Sequence, residues 1–564
     1  MAQRPSDLLY AVGERPPPGV LALSAVQHVA LVTTTLVYPL ILGREAGLTG
    51  STMLDLVSLS MLALGASSIL FCLAAPRLGS GYLVPASFTA IYLGPSLFAL
   101  RQGGLALAFG MSIAAGAMQL AIAPVLHRLR ALLPPEIAGL VIAVVGLSTA
   151  ALGVRYGLGL HHAPTVDVAN ASVAGLSLLV MVALNVWMPG YGRMFCVLAG
   201  MAAGYGASAA RGTMDLTLPD TVATGFLRVP DVDHLAWSFD LLLALPFAVV
   251  ALACTVRLMG DISNAQRIND VEWVRPNFRS LAGGVAANGL AQMFCGFIGA
   301  FGINSHSSSV GLSGATGVTS RAIGYVVGAL FVVLAFFPRI AALLAAMPAP
   351  VMGAALFFTA AFVLTSGLQM ITARMLDARK TLVIGFSFAM AVAADLYQPA
   401  LSAVPVWAQP IVGNALVLGT LCAVVLNLLM RVGVRQKVAL VLDGPAGSAD
   451  RVEQFLKENG ARWAARRDVI DRAVFGTVQL LEIIADRPGP TEIDASFDEF
   501  SLVVRVRHAG APIALPVSRP TPREIVMNEN GETLLAGYLL RRSADRVVAR
   551  GTAGIAEALL HFDH

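Results

Sequence analysis

The residues best suited to contact a small polar molecule lie in one run, Phe301 to Arg321, which reads FGINSHSSSVGLSGATGVTSR. We call this segment the polar run. Its side chains are mostly small and polar, whereas the rest of the chain is overwhelmingly apolar. Irregular backbone at membrane depth is tolerated only where it is buried in protein or lines a cavity. We therefore expect the polar run to form one wall of a substrate site.

Two charged residues stand four positions apart in another apolar segment, Arg257 and Asp261. A guanidinium at membrane depth costs about 2.5–3.5 kcal/mol, so it normally faces a cavity or a partner. One interpretation is that Arg257 offers a cation to an anionic substrate. The other is an ion pair with Asp261 one turn later, or an extension of the side chain towards the cytoplasm. The sequence leaves both open.

Titratable and amide side chains complete the candidate site. His28 and His306 change charge near neutral pH and could serve ion coupling, although a histidine in a helix bundle also occurs as a packing residue. Asp261 is expected to hydrogen-bond the polar run or to take up protons, and Gln27 to brace the polar run. We predict no catalytic residue and no enzyme activity.

The amino-acid composition indicates the class of protein in which these groups are positioned. Hydrophobic residues make up 56% of the chain and charged residues 13%, and the mean hydropathy is +0.73, which together indicate a polytopic integral membrane protein. The net charge of +4 has no basic cluster that would suggest nucleic-acid binding. All five cysteines lie in apolar segments without CxxC spacing, so we expect neither a disulfide framework nor a metal site. We also expect no cofactor.

About fourteen membrane spans can be placed between residues 20 and 433, after a cytoplasmic N-terminus at 1–19. Lysine and arginine concentrate in alternate loops, which predicts both termini on the cytoplasmic side of the cytoplasmic (inner) membrane. The predicted spans are 20–42, 54–75, 82–99, 104–125, 136–153, 171–188, 193–210, 239–259, 281–298, 300–318, 322–342, 349–371, 381–396 and 411–431.

A repeated pattern relates the two halves of the membrane domain. Pro134–Gly139 opens span 5 and Pro348–Gly353 opens span 12 with the same Pro-x-x-(Ile/Val)-x-Gly spacing. Seven spans then form each repeat, and an odd number makes the two repeats run in opposite directions. Spans 3 and 10 correspond, and both are interrupted by glycine, proline or polar residues. Such a pair predicts a midplane site, while small-residue packing faces are the alternative.

Motifs in five spans resemble the nucleobase–cation symporter-2 family, also called nucleobase–ascorbate transporters. The resemblance covers the whole membrane domain. It implies two inverted repeats of seven spans, a substrate-carrying core (spans 1–4 and 8–11) and a gate (spans 5–7 and 12–14) that usually forms a homodimer. It also implies uptake of xanthine, uric acid or uracil driven by H⁺ or Na⁺. The motifs are Gln27-His28, Ser87–Pro95, Pro134–Gly139, Gly260-Asp261 and Val310–Arg321.

The chain departs from the family at the recognition positions. Arg257 stands where the family usually has a glutamate, and Ser308 and Ser309 stand where it has an acid or amide followed by asparagine. A hydroxyl is shorter and less selective than these groups. The predicted substrate-binding residues are Ser87, Phe88, Thr89, Arg257, Asp261, Ser307, Ser308, Ser309 and Gly311. Those predicted to support the site or coupling are Gln27, His28, His306 and Thr316.

Residues 434–564 carry roughly half of the acidic residues and are predicted to form a soluble cytoplasmic α/β domain. Helical periodicity covers 449–460 and 463–485, followed by strands at Thr491–Asp498, Phe500–Val506 and Pro512–Pro516 and a closing helix at Gly551–His561. The order resembles the histidine-kinase-type ATPase fold. Its nucleotide motifs do not match, so we predict no ATP binding and a regulatory or dimerising role.

The fold class predicted is thus an all-α membrane protein with a C-terminal soluble α/β domain. The function predicted is secondary active transport of a nucleobase-like substrate by elevator-like alternating access. Transport of a small anion bound by Arg257, or ligand sensing through the C-terminal domain, remains as an alternative.

Overall fold

The structure is a computed structural model that describes residues 5–563 apart from 7, 76, 127–134, 161–164, 189–194, 213–224, 234, 272, 274–275, 373–375, 377, 398–403, 406–407, 431–435, 443–447, 464, 486–489, 499–500, 517–519, 522–524, 526–530 and 553. It divides into two compact units, Met1–Asn427 and Leu428–His564. The predicted domain boundary at residue 434 lies outside the described residues.

The first unit is built from helices with two short strands between them. In chain order these are α1 (Pro18–Thr33), α2 (Val37–Glu45), α3 (Gly50–Cys72), β1 (Ala86–Phe88), α4 (Leu93–Ile122), α5 (Pro135–Gly157), α6 (Val168–Trp187), α7 (Cys196–Ala210), α8 (Ala244–Ile268), α9 (Phe278–Phe297), β2 (Ile303–Ser305), α10 (Ser307–Thr316), α11 (Arg321–Leu334), α12 (Pro338–Ala345), α13 (Ala349–Thr372), α14 (Ala378–Leu396), α15 (Gln409–Val412) and α16 (Ala415–Met430).

Seven of the described helical segments are long and apolar enough to cross a membrane, or eight if α11 and α12 count as one bent span. The bend between that pair is 88°, and Pro338 begins α12 because proline is tolerated in the first helical turn. Predicted spans 3 and 4 share α4. They are separated by non-helical backbone at Gly103 and Gly104, whose φ of 71° favours glycine.

The two interrupted segments meet as a two-stranded antiparallel sheet. β1 pairs with β2 so that Ser87 faces Asn304. Each strand leads directly into a helix, a short 3₁₀ turn and α4 after β1, and α10 after β2. The main-chain groups of the two breaks are thus satisfied partly by each other and partly by side chains, since the Ala86 N–H donates to Ser68 and the Phe88 N–H to Thr35, as membrane depth requires.

Close helix contacts in this unit are made at glycines. Four glycine pairs share one property: a Cβ placed on either member would lie no more than 2.9 Å from the carbonyl oxygen of the other. Such backbone contact is how helices pack tightly in membranes. The pairs are Gly65 and Gly328 (α3 with α11), Gly116 and Gly289 (α4 with α9), and Gly139 with Gly367 and Gly153 with Gly353 (α5 with α13).

Replacing Gly289 by alanine is expected to lower the thermal midpoint of the purified protein. The new Cβ would lie 2.7 Å from the backbone nitrogen of Leu120 and 2.8 Å from the Gly116 carbonyl oxygen, neither of which can rotate away. Overpacking of this kind costs about 1–3 kcal/mol. Gly385→Ala is the matched control, since nothing lies within 4 Å of its Cβ position. Equal midpoints in both variants would contradict the tight crossing.

In its described residues the second unit has a five-stranded antiparallel sheet of order β3-β4-β5-β7-β6 and three helices. Buried side chains recur at every second strand residue, which gives the sheet one core-facing side. The elements are β3 (Gln436–Leu442), α17 (Ser448–Arg462), α18 (Arg467–Ile483), β4 (Thr491–Phe497), β5 (Ser501–Ala509), α19 (Gly531–Ser543), β6 (Arg546–Thr552) and β7 (Ile555–Asp563).

Some predictions for this unit are wrong. Gly551–His561 is not a helix but the end of β6 and most of β7, because Ala556, Ala558, Leu560 and Phe562 are buried with a period of two. Pro512–Pro516 forms no strand, since proline cannot donate to a ladder. β3 and α19 were not predicted. The helices at 449–460 and 463–485 are confirmed as α17 and α18, the second starting later.

Candidate functional site

The centre of the candidate site is the crossing of β1 and β2, from which two helices begin. α10 starts at Ser307, one residue after β2, and the side chain of its N-cap residue, His306, does not cap its first N–H groups. On the other strand the hydroxyl of Thr89 accepts a hydrogen bond from the Ile91 N–H at 3.4 Å, opening the turn into α4. Helix N-termini carry partial positive charge, so the crossing favours electron-rich ligand atoms.

We call the helical segments that begin after β1 and after β2, leading into α4 and α10, the two half-helices. α8 places the guanidinium of Arg257 between them. Arg257 donates to the hydroxyl of Thr89 at 3.4 Å and to that of Ser307 at 3.5 Å. It therefore touches the residue that follows β1 and the first residue of α10. Both bonds are long for charge-assisted hydrogen bonds, so donor capacity remains for a ligand.

Asp261 lies one turn further along α8 and makes no direct ion pair with Arg257, although the Ser307 hydroxyl links the two side chains. Within the described part of the chain, no carboxylate oxygen comes within the 4.0 Å ion-pair distance of the Arg257 guanidinium. The carboxylate of Asp261 instead accepts hydrogen bonds from Ser305 at 2.5 Å and Ser307 at 3.0 Å. The ion-pair interpretation of the Arg257 and Asp261 spacing is thus wrong for this conformation, and Asp261 fixes the β2–α10 junction.

Two amides that sequence reasoning left unassigned hold the same junction. Asn304 donates to the carbonyl of Cys254 on α8 at 3.1 Å, and the side-chain oxygen of Gln292 accepts the Ile303 N–H at 2.7 Å. Both amides are fully buried. Both residues are polar and stand inside apolar spans, where a buried polar group must find a partner. This feature of the sequence could have marked them as part of the site.

The serines at the family's two recognition positions, Ser308 and Ser309, have different surroundings. Ser308 is exposed, and one turn later nothing lies within 4 Å of the Cβ position of Gly311, so both border open space. Ser309 is fully buried, and its hydroxyl pairs with Nδ1 of His306 at 2.8 Å. Of the two serines, Ser308 is the exposed one.

The remaining predicted residues are packed. Phe88 is 2% exposed and meets Phe301 edge-on, with ring centroids 6.2 Å apart. Ser87 is buried and donates to the Ser305 carbonyl at 3.4 Å. Their placement shapes the strand crossing and offers no ring face to a ligand in this conformation.

Gln27 and His28 are buried on α1, and Nδ1 of His28 has no hydrogen-bond partner among the described residues. Thr316 lies at the far end of α10, where its hydroxyl donates to the Leu312 carbonyl at 2.9 Å. It is therefore a helix-end residue and does not reach the crossing. The described residues contain no group of three or more histidine, cysteine, aspartate or glutamate side chains that could hold a metal ion.

Comparison with known proteins shows to which family the chain belongs. The sequence model described as "Permease family" matches residues 19–399, which include the strand crossing, α8 and α10. The chain belongs to this family. It is the nucleobase–cation symporter-2 family that the motifs indicated.

Relatives within the permease family carry substrate names. The chain is 27% identical over 440 residues to xanthine permease XanP of Escherichia coli strain K12, covering 75% of this chain and 95% of the relative. It is 27% identical over 414 residues to uric acid permease PucJ of Bacillus subtilis strain 168, covering 72% and 91%. Members of this permease family are transporters and not enzymes, and the chain is an integral membrane protein.

A solved structure also aligns with part of the chain. The transmembrane domain of the cyanobacterium bicarbonate transporter BicA aligns with a TM-score of 0.46 and 13% identity, covering 74% of this chain and all of that one.

Proposed function

We propose that this permease moves a purine base of the xanthine or urate class across the cytoplasmic membrane. The observation that carries the proposal is the convergence of two half-helices and the Arg257 guanidinium at the β1–β2 crossing. Xanthine and urate present several carbonyl oxygens, and guanidinium and free helix N–H groups are donors for such oxygens. The names of the relatives support the same substrate class.

We also propose that the membrane unit has fourteen spans in two inverted repeats. If the two repeats are exchanged, span 2 (α3) corresponds to span 9 (α9), and span 11 (α11) corresponds to span 4 (in α4). The glycine contact between α3 and α11 then corresponds to the glycine contact between α9 and α4. The same exchange maps Gly139 to Gly353 and, fourteen residues later, Gly153 to Gly367. The two glycine pairs between α5 and α13 then exchange as well.

The transport cycle would follow from this division. A core of spans 1–4 and 8–11 would carry the strand crossing past a gate of spans 5–7 and 12–14, as in an elevator. Coupling to H⁺ or Na⁺ would use Asp261, His28 or His306. The homodimer through the gate and the cytoplasmic position of both termini rest on family resemblance and loop charge, with lipid around the spans.

A second candidate substrate is a small inorganic or carboxylate anion. It is favoured by the absence of a carboxylate within ion-pair distance of Arg257 in the described part of the chain. A guanidinium without a direct ion pair at membrane depth is expensive unless a ligand or cavity compensates it.

Uptake by proteoliposomes separates these functions. We expect saturable uptake of xanthine or urate, with acceleration by an inward proton or sodium gradient if transport is coupled. Preference for bicarbonate, sulfate or small carboxylates would favour the anion transporter. If no compound enters but urate still raises the thermal midpoint, the chain is a ligand sensor and the transport proposal is wrong.

A further inference from the structure

A cavity of about 530 Å³ lies beside the candidate site and has no assigned role. Its inner end is lined by Ala90 and Ile91, which directly follow Thr89, the hydroxyl partner of Arg257. Its outer end is lined by Arg101 near the break in α4 and by Arg155 in the last turn of α5. The lining thus extends from residues next to the strand crossing to two arginines at the predicted outer ends of spans 3 and 5.

The charged groups of this cavity are predominantly cationic. Three charged side chains line it, Arg101, Arg155 and Asp395. Both arginines are exposed, and neither has a carboxylate within 4.0 Å among the residues that the structure describes. Asp395 accepts a hydrogen bond from the Ser148 hydroxyl at 3.0 Å. Two guanidiniums against one carboxylate leave the cavity positive.

A neutral donor adds to this lining. The side-chain oxygen of Asn414 accepts the N–H groups of Leu416 at 3.1 Å and Val417 at 3.3 Å, capping α16. Its amide nitrogen lies beside Gly94, another lining residue. The oxygen is therefore occupied, and the amide presents its N–H₂ group on the cavity side.

We propose that this cavity is a first binding site for the substrate in its monoanionic form, a flat oxygen-rich heterocycle such as urate. The proposal rests on the proposed function. The volume falls within the roughly 300–1,000 Å³ of small-molecule pockets, and guanidiniums both pair with and stack on planar anions. The anion is held by Arg101, Arg155 and Asn414 before it moves inward to Arg257. Uracil, which is neutral at neutral pH, gains nothing from the two arginines.

The test is urate and uracil uptake at neutral pH and at low and high salt, by the wild type and by the double variant Arg101→Gln/Arg155→Gln. We expect the double variant to raise KM for urate about tenfold at low salt, with kcat retained. Salt should raise the wild-type KM for urate and barely change that of the variant, because the screened interaction is already gone. Uracil uptake, where measurable, should be the same in both proteins.

Arg339→Gln is the matched control, an exposed arginine at the start of α12 that does not line the cavity. It should leave KM for urate unchanged, and Arg101→Lys/Arg155→Lys should recover most of the affinity. An unchanged urate KM in the glutamine variant, or an equal loss for uracil, overturns the inference while leaving the proposed function in place. If the wild type carries none of the nucleobases, the proposed function and this inference fall together.

Discussion

Replacing Arg257 by glutamine is expected to lower kcat/KM for urate about 100-fold, which corresponds to roughly 2.7 kcal/mol of lost interaction. The guanidinium is within hydrogen-bond reach of both half-helices through Thr89 and Ser307. Hydrogen bonds to charged groups are worth about 1.5–3 kcal/mol each. Glutamine keeps one amide donor but removes the charge and the fork of parallel N–H groups. Lysine keeps the charge alone and should give an intermediate loss.

Radiolabelled uptake over a range of urate concentrations measures this effect. Arg267→Gln is the matched control, since Arg267 is an exposed arginine in the last turn of the same helix. Its kinetics should equal those of the wild type. Uptake of every tested nucleobase and anion at wild-type rates by Arg257→Gln would show that the guanidinium serves packing or topology and that the site lies elsewhere.

The sequence could predict the two interrupted segments because their causes are local. Pro85 removes a helical N–H just before β1. Gly302 immediately precedes β2, and glycine disfavours a continuous helix. Polar residues in an apolar chain then marked the same places as a site. The motifs also indicated the family, which the match to the permease family confirms.

The partners within the site could not be predicted, because they depend on contacts between distant segments. Ser87 and Asn304 face each other across more than two hundred residues of chain. The spacing of Arg257 and Asp261 suggested an ion pair, yet the hydroxyls of Ser305 and Ser307 take the carboxylate instead. Sequence spacing shows which residues share one face of a helix. It does not show which side chains of other segments contact that face.

Replacing Asp261 by alanine is expected to reduce kcat/KM for urate at least about 100-fold through a loss of positioning. Asp261 is 9% exposed, and its carboxylate accepts hydrogen bonds from both Ser305 and Ser307. Without it two hydroxyls lose a charged acceptor, at about 1.5–3 kcal/mol for each hydrogen bond. The first turn of α10 would then no longer be fixed against α8, and a misplacement of about 1 Å can cost roughly 100-fold in rate.

Asp261→Asn separates positioning from charge, because its amide oxygen can still accept both hydroxyls. If Asp261 only positions α10, the asparagine variant should recover most of the urate uptake and keep its response to a proton gradient. If Asp261 also carries the coupling proton, the same variant should bind urate but lose that response. An alanine variant with normal kcat and KM would contradict both roles, since the β2–α10 junction would then be held by Asn304 and Gln292 alone.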